Sequence, residues 1–143
     1  MRWTMSTARE KYYRLVFAIS SIYDTVLGVV FAFFSRQAFN FLGIGNKLPE
    51  FSGYLTLLGA FLFVIGVAYF LIARGDLWRN RDLVLVGALY KLAYCVTAFC
   101  YFAAGTLPHL VFVGIFGIAD LVFFVLMAEC YVVLGKTQAP RSA

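Results

Sequence analysis

Four long stretches of the chain are almost purely apolar, and the segments between them collect most of the polar residues. They run from Leu15 to Phe34, Gly53 to Ala73, Leu83 to Ala104 and Leu110 to Leu134. Each reaches the roughly 20 apolar residues that cross a hydrocarbon core about 30 Å thick. A segment in lipid must pair its own backbone groups, so each is expected to be a helix, whatever its β-branched and aromatic content. The connections are mostly short and force antiparallel neighbours. The expected fold is therefore all-α: one polytopic domain over residues 1–143, an antiparallel four-transmembrane-helix bundle.

One connection, Ser35 to Ser52, is longer. Its Phe39, Phe41, Leu42 and Ile44 are spaced for one side of a short helix. This external loop reads either as an extension of the first helix ending at Gly43 or Gly45, the simpler reading, or as an interfacial flap or lid built on a short helix.

Composition sharpens the exclusion of a soluble fold. The 143 residues are 63% hydrophobic and only 13% charged, with a mean hydropathy of +0.87, whereas a soluble domain is roughly half apolar and about a quarter charged. A disordered chain, a secreted disulfide scaffold and a free cytosolic enzyme are excluded. The charged start followed by an apolar run resembles a secretory signal, but the run is too long and Phe33-Phe34-Ser35-Arg36 is no small-residue cleavage site, so it is expected to stay as the first anchor. The odd set Cys95, Cys100 and Cys130 falls inside apolar runs and reads as buried small hydrophobes.

The basic residues set an expected orientation. Arg2, Arg9, Lys11 and Arg14 precede the first span, Arg74, Arg79 and Arg81 lie between the second and third, and Lys136 and Arg141 follow the fourth. The other side holds Arg36 and Lys47 alone. The positive-inside rule then puts both termini in the cytoplasm, for a multi-pass protein of the inner (cytoplasmic) membrane. Trp3 and Trp78 fall on that same side, where indole rings suit the headgroup level. The net charge of +5 is a topology and anionic-lipid signal, with no nucleic-acid partner implied by so scattered a set.

Four ionisable residues lie within the spans, and an intramembrane charge demands a partner or a task. At a rise of 1.5 Å per residue, Asp24 is roughly 14 Å from the cytoplasmic edge, Lys91 roughly 12 Å, Asp120 roughly 21 Å and Glu129 about 8 Å. With the reach of its side chain Lys91 can meet Asp24 at its own level, and Asp120 with modest helix tilt. Ser20, Ser21 and Gly28 share the face of Asp24; Gly87, Tyr94, Cys95 and Ala98 share that of Lys91; Gly117 shares that of Asp120. Tyr23, Tyr69, Tyr90 and Tyr94 are phenols able to extend the cluster. It reads as a structural salt bridge that fixes helix register, or as a polar or proton-handling site in which one lysine faces two acids. Glu129, about 180° round its helix from Asp120, is assigned to the cytoplasmic interface or to a partner protein. Thr56, Gly59, Phe63, Gly66 and Phe70 recur at helical steps and make the second span a packing helix.

Other signals carry no site. His109 after Pro108 reads as a cap or headgroup contact; no metal set shares its depth, and no Ser, Cys or His nucleophile constellation points to a catalytic residue. Arg74-Gly75-Asp76 reads as a turn.

The layout from Arg14 to Leu134 resembles that of small four-helix bacterial membrane proteins of the DoxX-like kind. The likeness lies in a first span that ends in a short interfacial segment, a basic turn from Arg74 to Asp82, and polar positions at Gly87 to Lys91 and Gly117 to Asp120. It implies partnership with membrane complexes, some of them quinone-linked, and assigns no residue a role. The leading expectation is a non-enzymatic accessory subunit or small-ligand or partner-binding module, in the bilayer as a homo-oligomer or part of a larger complex, with no cofactor beyond a bound lipid or quinone. The alternative is a small oligomeric transporter or proton-coupled carrier using Asp24, Lys91 and Asp120. A quinone- or lipid-handling enzyme component ranks last.

Overall fold

The computed structural model describes residues 3–138. Its helices are α1 (Thr7–Phe33), α2 (Ser35–Phe41), α3 (Gly53–Arg74), α4 (Arg81–Ala103) and α5 (Asp120–Lys136), with a 3-10 turn at Gly45–Lys47 and a π-helical stretch at Val113–Ala119 running into α5. α1, α3, α4 and the helix from Val113 to Lys136 are each long and apolar enough to cross a membrane, which makes the chain a multi-pass membrane protein by length and composition. Arg2 and Arg141, used above for orientation, lie outside the described residues.

Local chemistry explains the boundaries. α1 starts at Thr7, well before Leu15, because the Ser6 side chain caps it by accepting from the Arg9 amide at 3.3 Å. Its first two turns are polar, so an apolar count misses them. α1 then breaks at Phe34 and restarts as a separate short helix. The restarted helix ends at Gly43, whose φ of 71° takes the left-handed conformation. The Gly43 amide bonds to Asn40 O and the Ile44 amide to Phe39 O, the paired bonds of a Schellman stop. The loop is thus neither an unbroken extension of α1 nor a free flap, since Phe39 and Ile44 are buried in the core.

α1 packs chiefly on α3, and α4 on α5. The α1–α3 approach is close because glycine backbones face each other. A Cβ placed on Gly28 would lie 2.7 Å from Phe63 N and 2.8 Å from Gly59 O. Ser21 Oγ donates to Gly66 O at 2.7 Å across the same seam. On α3 the inward row is Gly59, Leu62, Gly66, Tyr69 and Ile72. The aromatic positions of the row read from the sequence shift by one: Phe63 and Phe70 face outward, and Leu62 and Tyr69 take the core.

At one end of the bundle, side chains tie helix termini together. Arg14 donates to Ala73 O and Gly75 O at the end of α3, and Trp78 Nε1 donates to Thr137 Oγ1. Trp3–Thr4 pairs in parallel with Thr137–Gln138, so the two ends of the described chain meet there. At the other end His109 Nδ1 accepts from the Val111 amide at 3.1 Å and caps the last helix. Cys95 and Cys130 are buried, but Cys100 is exposed on the outer face of α4, contrary to its reading as a buried residue.

A buried ion triad and an apolar cavity

The apolar core is in two parts. One gathers Tyr13, Phe17, Tyr69, Ile72, Val84, Ala88, Met127 and Leu134 around the end where Trp3–Thr4 pairs with Thr137–Gln138. The other gathers Phe31, Phe39, Ile44, Leu62, Ala98 and Phe116 around the α2 end. Between them along each helix stand Ser20, Ser21 and Asp24 of α1, Gly66 of α3, Lys91 of α4 and Asp120 of α5, a polar layer in mid-bundle.

Lys91 joins three helices in that layer. Its Nζ lies 2.6 Å from Asp24 Oδ1 and 2.9 Å from Asp120 Oδ1. The three side chains are 0%, 1% and 3% exposed. The ammonium also lies 4.8 Å from the ring centre of Tyr23, 5.6 Å from Tyr69 and 5.4 Å from Phe123, so aromatic faces occupy its remaining surface. The phenols point their hydroxyls away: Tyr23 donates to Ile115 O in the π-helical stretch, and Tyr69 to Gly87 O, each at 2.9 Å. Tyr90 and Tyr94 bond to each other at 3.3 Å and leave the triad alone. Ser20 Oγ and Asp24 Oδ2 are buried with no hydrogen-bond partner.

The π-helical turns set the position of Asp120. A π turn shifts side chains round the axis relative to an α-helix, and such turns often occur where one residue must be aimed. Here Val113–Ala119 ends immediately before Asp120, and Tyr23 of α1 holds its Ile115 carbonyl.

Glu129 stands elsewhere. Its Oε1 accepts from Arg9 Nη2 at 2.7 Å and from the Tyr13 hydroxyl at 2.9 Å, so it ties α5 to α1 within this chain while remaining about half exposed.

The cavity is the feature the apolar pattern conceals. A space of about 390 Å³ opens among the loop after α2, α3, α4 and the π-helical stretch, walled by Phe31, Phe39, Leu58, Tyr94, Ala98 and Phe116. Lys47, Thr97, Tyr101 and Thr106 supply its polar margin. Tyr94 packs on Phe116 at 5.3 Å and Phe112 stacks on Phe116 at 6.1 Å, giving one wall a continuous aromatic surface. Of this lining only Tyr94 stands out in the sequence as a site candidate. The available signal was the apolar side of α2, which must cover something. Among the described residues no group of three or more His, Cys, Asp or Glu is arranged to hold a metal ion.

No protein-family model matches the chain, and neither a curated protein nor a solved structure matches it.

Proposed function

We propose that this chain is a non-enzymatic binding module of the cytoplasmic membrane that holds a lipid-like molecule with an apolar body and a hydrogen-bond-accepting head, a lipid or a quinone. The cavity beside α2 carries the reading. Its volume of about 390 Å³ lies in the range of small-molecule sites, roughly 300 to 1,000 Å³. Its walls are aromatic and aliphatic, and its few polar groups gather at the margin, where Lys47, Thr97, Tyr101 and Thr106 can donate to a headgroup. The excess of Lys and Arg at the opposite end favours cytoplasmic termini and so an external opening for the cavity. The outward apolar residues of every spanning helix, among them Ile22, Phe61, Val86 and Val125, suit lipid or partner helices, in a homo-oligomer or a larger complex.

The test is native mass spectrometry after gentle extraction. A bound lipid or quinone is expected with the wild-type protein and is expected to be lost from Ala98→Trp, whose indole fills the space. Ligand-free wild-type protein, or a ligand retained equally by the filled variant, would remove the proposal. The carrier reading draws support from the triad, but its members are sealed on all sides. Proteoliposome flux unchanged by Asp24→Asn and Asp120→Asn would end it.

A further inference from the structure

The triad does not balance. Two carboxylates share one ammonium, so the fully ionised set carries one negative charge in mid-bundle, away from water, where an uncompensated charge is very costly. The other titratable groups nearby bring no second positive charge. They are Tyr23 on α1, Tyr69 on α3, and Tyr90, Tyr94 and Cys95 on α4, all neutral acids. Two atoms of the same layer also lack partners, Asp24 Oδ2 and Ser20 Oγ. They belong to residues four apart on α1 and so share one face of the helix, where a rotation of the Ser20 side chain brings its hydroxyl toward Asp24.

We propose that the triad is a proton-binding site, with one proton held on Asp24 Oδ2 and donated to Ser20 Oγ. That single proton cancels the excess charge, which a bond donated by the Ser20 hydroxyl to an ionised Asp24 would leave in place. Asp24 Oδ1 then accepts from Lys91 as a neutral carbonyl oxygen, while Asp120 remains the ionised partner of the ammonium. Asp24 rather than Asp120 takes the proton because, of their two second oxygens, only that of Asp24 is buried and unpartnered, one turn along α1 from the unpartnered Ser20 hydroxyl. The site is distinct from the cavity and stands whether or not the cavity binds a ligand.

Infrared spectroscopy in an ester-free detergent tests this. At neutral pH the wild-type protein is expected to show a protonated-carboxyl carbonyl band that moves when aspartate carries heavy carbon at its side-chain carboxyl. Ser20→Ala keeps the acid and removes its acceptor, so the band is expected to shift in frequency. Asp24→Asn is expected to abolish it. Asp120→Asn is expected to abolish it too, because Asp24 alone then ionises against Lys91. No band in the wild type, a band indifferent to the label or to Ser20→Ala, or one that survives in folded Asp120→Asn protein overturns the proposal. So does a sodium-dependent rise in melting temperature that Asp24→Asn removes, which would make the occupant a metal cation. Should the asparagine variants not fold, the labelled wild type and Ser20→Ala decide.

Discussion

Lys91 of α4 and Asp24 of α1, 67 residues apart in the chain, meet at 2.6 Å with no more than 1% of either side chain exposed. A charged contact so buried does not bring stability in proportion to its Coulomb energy, because the groups that make it lose their water. Its strength shows when one partner is removed. Lys91→Met leaves the Asp120 carboxylate without its ammonium in apolar surroundings and is expected to cost about 3 to 5 kcal/mol. Denaturation in detergent with the double-mutant cycle of Lys91→Met and Asp24→Asn checks it. A direct pair gives non-additive losses with a coupling of about 0.5 to 3 kcal/mol, and additive losses would refute it.

The contact between Arg9 and Glu129 is as short, 2.7 Å, but both side chains are nearly half exposed. Water and salt screen such a pair, and two long side chains lose freedom in making it. Glu129→Gln is therefore expected to leave the melting temperature close to that of the wild type, and raised salt is expected to matter little. Comparison with Lys91→Met sets this exposed pair against the buried triad. A loss for Glu129→Gln equal to that of Lys91→Met would contradict this ranking.

The α1–α3 seam admits no side chain at its centre. A Cβ on Gly28 would meet backbone atoms, Phe63 N at 2.7 Å and Gly59 O at 2.8 Å, and backbone cannot swing aside as a flexible side chain does. Gly28→Ala is expected to part the helices and lower the melting temperature. Gly114→Ala, where nothing lies within 4 Å, is the matched control and is expected to be tolerated. Equal behaviour of the two would argue against close packing there.

Much of this was legible in the sequence, and the reasons differ by element. The four spanning helices follow from uninterrupted apolar length, since lipid removes every alternative for the backbone. The meeting of Asp24 and Lys91 follows from depth, which a fixed rise per residue converts into height, whereas Asp120 joins them only once helix tilt is added. The α3 row was misplaced at Phe63 and Phe70 because a stripe of three- and four-residue steps can advance by either step, and only the partner helix selects Leu62 and Tyr69. The π-helical stretch left no mark in the apolar pattern, because residue type does not encode a ladder shifted by one bond. The cavity was hidden for a related reason. Its walls are the same Phe, Leu and Ala residues that fill a solid core, and only their absence of contact in three dimensions makes a space.

Orientation is open to a direct measurement. The end carrying Arg14, Arg74, Arg79 and Arg81 is expected to face the cytoplasm, and the end carrying Lys47 the outside, because basic residues cross a membrane poorly during insertion. Arg79 is beside the turn that Asp76 Oδ1 holds by accepting from the Arg79 amide, a bond that a side-chain change leaves in place. Asn46 lies in the 3-10 turn after α2. In a version with Cys95, Cys100 and Cys130 replaced, Asn46→Cys is expected to react with a membrane-impermeant thiol reagent applied to intact cells. Arg79→Cys is expected to react only after the cells are opened. The reverse pattern would invert the protein and bring the cavity margin at Lys47 to the cytoplasmic side, so that a ligand would enter from the inner leaflet.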